Sequence, residues 1–119
     1  MTISMKTFTG LVIKGKGRAA KLGFPTANIP LEDDSISGIY AARVKIGDAE
    51  YIATVFADPK RKILEAHLLD YSGDLSGKNI TIELCEKIRE SKKFADDAKL
   101  REAIASDIVK VREYFTKES

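Results

Sequence analysis

The stretch "GIYAARVKIGDAEYIATVFA", residues 38–57, is typical of two β-strands joined by a tight turn. Period-two alternation and β-branched or aromatic residues dominate on both sides of Gly47-Asp48, a pair with the residue types that turns require. The same pattern recurs in three other parts of the chain. The predicted strands span residues 7–15, 38–46, 50–57, 62–70 and 79–88.

The spacing of apolar residues changes after residue 95. An apolar residue then recurs every three or four positions, which predicts an amphipathic helix of about five turns over residues 96–117. Asp96 or Asp97 is suited to cap its start. Several short strands with hairpin-length connections predict an antiparallel barrel at residues 6–90, so we expect a mainly β domain over residues 1–119. The helical stripe consists of Leu100, Ile104, Ile108, Val111 and Phe115.

Composition excludes several classes of protein. The 119 residues are 44% apolar and 32% charged, which is typical of a globular domain with one core. The net charge of +2 is too small to require a nucleic-acid or membrane partner. Cys85, the single cysteine, cannot form an internal disulfide and is best explained as a packed strand residue. No apolar run approaches membrane-spanning length, and a single cysteine fits a reducing compartment, so we expect a cytoplasmic protein. We also expect a monomer.

The segment "IKGKGRAAKLGFPTANI", residues 13–29, belongs to a stretch of 31 residues without an acidic side chain. Its glycines would let backbone N–H groups approach an anion closely, and its basic side chains would add positive charge. The spacing is not that of a Walker loop, and no helix obviously follows it. The residues concerned are Gly15, Lys16, Gly17, Arg18 and Lys21.

Thr26 and Asn28 follow a rigid Gly-Phe-Pro step. On an extended segment, residues two apart point to the same face, and a hydroxyl with a carboxamide oxygen suits Mg²⁺. A solvated basic hairpin followed by a proline-stiffened edge strand is the better explanation from these residues alone.

Glu65 lies within the otherwise apolar strand "KILEAHLLD", residues 62–70. A carboxylate there costs desolvation free energy unless it is paired or used. It could accept the proton of an alcohol, although a surface or salt-bridged glutamate is the simpler interpretation of the residue alone. His67, the only histidine, is interpreted as a structural strand residue because no Cys or carboxylate cluster accompanies it.

Three ordered segments resemble the riboflavin kinase (flavokinase) family. The first is G-x-V-x-x-G-x-G-R followed by L-G-F-P-T-A-N-I and S-G-I-Y-A, within residues 10–41. The second is "LEAHLLDYSGDLSGKNITIEL", residues 64–84, and the third is "KIRESKKFADDAKLREAIASDIVKVRE", residues 87–113. Together they cover most of the chain.

The resemblance implies a six-stranded antiparallel Greek-key barrel with a C-terminal helix. It implies transfer of the γ-phosphoryl group of ATP to the terminal ribityl hydroxyl of riboflavin, giving FMN and ADP, with Mg²⁺ or Zn²⁺. Glu65 would be the catalytic base, Thr26 and Asn28 would hold the metal and phosphates, and the flavin would contact Arg89, Lys92 and Phe94. The remaining nucleotide-binding residues would be Gly15, Lys16, Gly17, Arg18, Lys21 and Leu68.

The chain departs from the family pattern at three places. The short "ADPKRK", residues 57–62, replaces a longer loop, Ser76 replaces a tyrosine, and Ala19 and Ala20 replace a glycine and a polar residue. We expect these changes to affect substrate affinity rather than chemistry. Since few residues precede the first strand, we expect no FMN adenylyltransferase domain.

Two alternatives remain. The chain could be a barrel that binds single-stranded nucleic acid through the basic loop, or one that binds flavin and nucleotide without turnover. Because Phe24 is the only aromatic residue near the basic loop, the first alternative has little support.

Overall fold

The computed structural model describes residues 6–15 and 17–118, the last through its backbone only. Strand β1 (Lys6–Leu11) continues after a bend into β2 (Ile13–Lys14), and a one-turn helix, α1 (Arg18–Lys21), follows. The remaining elements are β3 (Ala27–Pro30), β4 (Gly38–Ile46), β5 (Ala49–Asp58), β6 (Ile63–Leu68), β7 (Asn79–Arg89) and α2 (Asp97–Glu118).

All described strands belong to one antiparallel sheet with the order β1-β7-β4-β5-β6-β3-β2. Strands β4, β5 and β6 form a meander, and β7 returns beside β4, which is a Greek-key arrangement. Since β1 and β2 lie at opposite ends of this order yet are joined through Val12, the sheet must curl until its ends meet. The bend at Val12 also explains why a strand predicted at residues 7–15 is observed as two.

The interior of the curled sheet holds the main core. Ile29, Leu64, Ile82 and Leu84 are almost completely inaccessible to solvent there. Their burial follows from the period-two pattern, because alternate residues of each strand point into the interior. Cys85 is buried on β7, as predicted, and burial raises the pKa of its thiol.

Helix α2 packs against the outside of the sheet. Val111 is completely buried in a second cluster with Ala41 and Leu69. An Asp96 carboxylate oxygen accepts the Ala98 N–H at 2.7 Å, so Asp96 caps the helix. The mainly β fold with a C-terminal helix is confirmed, and the helix bounds differ from the prediction by one residue. None of the described helices is long and apolar enough to span a membrane.

The structure differs from prediction in the basic segment. Strand β2 pairs with β3, but the intervening residues contain α1, where only a loop was expected. This helix has four residues and no side-chain cap, so it leaves no periodic signal in the sequence. Strand β3 is not an edge strand either, because it pairs with β6 on its other side.

Candidate active site

A cleft of about 350 Å³ opens between the sheet, the segment that contains α1, and the start of α2. We call it the first cleft. Its apolar walls include the rings of Phe24, Phe56 and Phe94. Its polar lining includes Thr26, Thr54, Glu65 and His67. Aromatic faces beside a few convergent polar groups are typical of sites for small organic ligands.

Glu65 is the acidic group on the sheet side of this cleft. Only 8% of the residue is exposed, and its Oε2 accepts no hydrogen bond from residues 6–15 or 17–118. Arg61 Nη2 lies 3.9 Å from Oε2. Burial raises the pKa of the Glu65 carboxyl above its ordinary value, and the nearby Arg61 guanidinium only partly offsets this effect. Such a carboxylate is a stronger proton acceptor than one in water.

Thr26 and Asn28 lie beside Glu65. Asn28 pairs directly with Glu65 across β3 and β6, so their side chains share a face of the sheet. Thr26 Oγ1 and Asn28 Oδ1 are buried, and neither has a hydrogen-bond partner within the described part of the chain. Buried polar atoms normally have partners, so two such oxygens on residues two apart in the chain suit a bound ligand or cation.

Glycines bring the basic segment close to these groups. The buried Gly15 donates its N–H to the Thr26 carbonyl oxygen at 3.2 Å. A Cβ at Gly15 would collide with the Thr26 hydroxyl and lie 2.9 Å from that carbonyl oxygen. A Cβ at Gly17 would lie 3.1 Å from Glu65 Oε2. Position 15 therefore needs glycine, whereas a methyl group at position 17 would require only a small shift of the Glu65 side chain.

A second cleft, of about 330 Å³, lies on the other side of Thr26. Thr26 lines both clefts, so it marks the place where they meet. The second cleft is lined by Lys14, Leu68 and Tyr71. Ser76 also lines it, and its N–H donates to Asp74 at 2.9 Å. Leu68 thus lies where a ligand beside Thr26 could touch it.

Arg18 is engaged within the protein. Its Nε donates to Asp97 Oδ1 at 2.8 Å, and its guanidinium also donates to the carbonyl oxygens of Phe94 and Ala95. It lines the first cleft rather than the second. The structure therefore places Arg18 as a link between α1 and the start of α2, a role that the sequence did not indicate.

The segment that precedes α2 forms the far wall of the first cleft. Arg89 makes a bidentate pair with Asp107, both distances being 2.8 Å, and only 2% of Asp107 is exposed. The Arg89 guanidinium and Lys92 Nζ lie 5.9 and 5.8 Å from the centre of the Phe94 ring. All four residues line the cleft. The three residues predicted to contact flavin are thus brought together.

The short connection at residues 57–62 has a consequence for the site. Asp58 Oδ1 accepts the N–H groups of Lys60 and Arg61, which closes a tight turn. The Arg61 side chain is directed back along β6, where it lines the first cleft and approaches Glu65. The family pattern suggested that a segment is missing here, whereas the structure shows that the short connection contributes a cation.

The remaining predicted site residues are placed as follows. Lys16 lies outside the described residues. Lys21 is exposed at the end of α1 and lines neither cleft. Three residues that line the first cleft were not predicted from the sequence, namely Thr54, Arg61 and Asp107. The periodic patterns of strands and helices do not indicate which cleft a polar side chain enters. The structural interpretation of His67 did not anticipate that its Nδ1 is buried without a partner among the described residues.

Comparison with solved structures supports the fold. A crystal structure of a macrolide-efflux protein from Streptococcus pneumoniae matches with a TM-score of 0.76. The match covers 89% of this chain and 38% of that chain, at 24% sequence identity. At this identity the likeness shows the fold alone.

Sequence comparison gives the family. The family model "Flavokinase: Riboflavin kinase" matches residues 4–115. The chain is 36% identical over 116 residues to the bifunctional riboflavin kinase/FMN adenylyltransferase of Escherichia coli K12, and 34% identical over 115 residues to that of Haemophilus influenzae. The alignments cover 90% and 89% of this chain but 37% of each relative. The chain belongs to the riboflavin kinase family, and it corresponds to the kinase domain of these longer proteins.

Proposed function

We propose that this chain transfers the γ-phosphoryl group of ATP to the terminal ribityl hydroxyl of riboflavin, giving FMN and ADP. The observation that carries the proposal is that two clefts of similar size meet at Thr26, with the carboxylate of Glu65 in one of them. A phosphoryl transfer needs two substrates whose reacting ends meet, and a group that accepts the proton of the alcohol.

We assign the flavin to the first cleft and the nucleotide to the second. The first cleft offers Phe24, Phe56 and Phe94, whose faces suit a flat aromatic ring system. The second offers Lys14, which suits a phosphate chain. In this arrangement the terminal hydroxyl and the γ-phosphate approach each other near Thr26.

The donor set fits a divalent cation that takes its other ligands from phosphates and water. Among the described residues no group of three His, Cys, Asp or Glu side chains could hold a metal ion. Two neutral oxygens, Thr26 Oγ1 and Asn28 Oδ1, therefore would hold Mg²⁺ or Zn²⁺ beside the nucleotide. When bound, the ion would neutralise the negative charge of the phosphates.

The protein's own groups then perform three tasks. Glu65 accepts the proton of the ribityl hydroxyl as the new O–P bond forms and the bond from the γ-phosphorus to the ADP oxygen breaks. Gly15 and Gly17 allow the basic segment to cover the reacting groups and exclude water. Arg61 lies 3.9 Å from the Glu65 carboxylate, where it can also balance negative charge.

The test is product formation. The protein is incubated with riboflavin, Mg²⁺ or Zn²⁺, and each nucleoside triphosphate, and FMN is separated from riboflavin by chromatography. We expect FMN with ATP, and no phosphorylated product from lumiflavin, which lacks the ribityl chain. The absence of FMN with every triphosphate and metal would contradict the proposal. Quenching of flavin fluorescence without FMN formation would instead identify a binding protein without turnover.

A further inference from the structure

Two polar atoms of the first cleft have no role in the proposed reaction. They are Thr54 Oγ1 and His67 Nδ1, which are buried and have no hydrogen-bond partner among the described residues. Both residues line the first cleft. Burying a polar atom without a partner costs about 1–3 kcal/mol, so two such atoms side by side indicate that a ligand supplies their partner.

The strand register places these two atoms relative to Glu65. Thr54 and His67 pair directly across β5 and β6, so their side chains are adjacent on one face of the sheet. Glu65 lies two residues before His67 on β6 and points to the same face. That separation is roughly 7 Å along a strand, so a five-carbon chain whose terminal hydroxyl lies at Glu65 can bring its inner hydroxyls within reach of Thr54 and His67.

The His67 ring is held in place. The Phe24 ring meets it edge to face, with the ring centroids 5.6 Å apart and the planes at 79°. Burial lowers the pKa of the His67 imidazole, and the charge of Arg112 lowers it further, so the ring is neutral near pH 7. A neutral imidazole can donate or accept a hydrogen bond at Nδ1, and the Thr54 hydroxyl can do both. Hydroxyl groups are the natural partners of such a pair.

We propose that Thr54 and His67 bind secondary hydroxyls of the ribityl chain and so select flavins that carry a polyol side chain. The inference rests on the proposed function, because it takes the terminal hydroxyl to lie at Glu65. With that end at Glu65, the chain runs along β6 toward Thr54 and His67. These two side chains bind its inner hydroxyls, and the ring system lies among the aromatic residues that line the same cleft.

The test compares two flavins in three variants. The probes are riboflavin and its ω-hydroxypentyl analogue, which keeps the terminal hydroxyl but lacks the secondary hydroxyls. We expect Thr54→Val and His67→Phe each to lower kcat/KM for riboflavin about 5–10-fold, which is the loss of one hydrogen bond, and to leave the analogue unchanged. Thr7→Val, the same chemical change at an exposed position of β1, should alter neither value. Thr54→Val keeps the shape of threonine and removes an unpartnered hydroxyl, so it should fold even where His67→Phe does not.

Loss of activity toward both flavins by the same factor would overturn the inference, since it would indicate a structural role or a contact with the ring. No loss toward riboflavin would overturn it as well. If the unaltered protein forms no FMN at all, the proposed function fails. Binding of the same two flavins, measured by the quenching of their own fluorescence, then decides the inference. The variants should weaken the binding of riboflavin and leave that of the analogue unchanged.

Discussion

Replacing Glu65 by glutamine tests both the catalytic role of this buried carboxylate and the free-energy cost of burying it. The Glu65→Gln substitution keeps the shape of the side chain but removes the group that accepts the proton of the ribityl hydroxyl. We expect kcat for FMN formation to fall about 10²–10⁴-fold, the usual contribution of a positioned general base. We also expect the folded state to become more stable near neutral pH.

The gain in stability follows from the surroundings of Glu65. At 3.9 Å and an effective dielectric constant of about 20, the attraction to Arg61 would be about 4 kcal/mol. The Arg61 side chain is 46% exposed, so solvent screening reduces this attraction to about 1 kcal/mol or less. Burying a carboxylate whose Oε2 lacks a hydrogen bond costs several kcal/mol. The burial cost is larger, in agreement with the raised pKa of Glu65.

The sign of the pH dependence follows from linkage. Because folding raises the pKa of Glu65, the folded state binds more protons than the unfolded state between the two pKa values. The cost of the buried charge is therefore absent below the ordinary pKa of 4.5 and fully present above the folded-state pKa. Each pKa unit of the rise corresponds to about 1.4 kcal/mol. For a domain of this size, each kcal/mol raises Tm by roughly 4 °C.

The assay is thermal unfolding of both proteins between pH 4 and pH 9, combined with FMN formation near neutral pH. Glu65→Gln should exceed the unaltered protein in Tm at pH 8, and the difference should vanish toward pH 4. Glu86→Gln, the same change at an exposed position of β7, serves as the control and should affect neither measurement. A Glu65→Gln protein that is less stable at pH 8, or that loses only a few-fold in kcat, would refute this account.

Three further changes, with Gly47→Ala as a control for one of them, test the surroundings of Glu65. Arg61→Gln removes a charge that lowers the pKa of Glu65. The acid limb of the profile of kcat/KM against pH should therefore move to higher pH. An unmoved limb would mean that Glu65 is not the titrating group. Gly15→Ala places a methyl group against Thr26 and should destabilise the fold by about 1–3 kcal/mol and reduce activity. Gly47→Ala, with no atom within 4 Å of the new methyl group, should cost about 1 kcal/mol in denaturant unfolding and leave activity intact. Thr26→Val removes a buried hydroxyl without a described partner and should lower FMN formation and its response to Mg²⁺ while Tm is maintained; equal activity would remove Thr26 from the site.

Much of the candidate site could be predicted because family motifs mark residues that lie close together. Glu65, Thr26 and Asn28 meet as the motifs implied, and Arg89, Lys92 and Phe94 form one wall of the first cleft. Two predicted nucleotide contacts differ: Arg18 is found bonded to Asp97, and Lys21 lines neither cleft. A motif indicates that a position matters, but it does not state which partner the side chain contacts.

The connection at residues 57–62 shows that the length of a loop does not predict where its side chains lie. Its length was visible in the sequence, and a short connection suggested lost contacts with the substrates. The position of Arg61 depends on the hydrogen bonds of Asp58, which set the turn, and on the register of β6. Neither can be derived from the residue types alone.

The sequence by itself determined the strands around Gly47-Asp48, the apolar stripe of α2 and an aspartate cap at its start, because these features depend on local periodicity and on backbone preferences of neighbouring residues. Only the tertiary structure decided that Arg18 bonds to Asp97, 79 residues away, and that Thr54 lies opposite His67. Such contacts depend on strand register and on the curl of the whole sheet. These bring together residues that are far apart in the sequence, so no local sequence pattern indicates the contacts. For that reason the sequence could nominate Glu65 as the base, while the polar pair beside it emerged only from the fold.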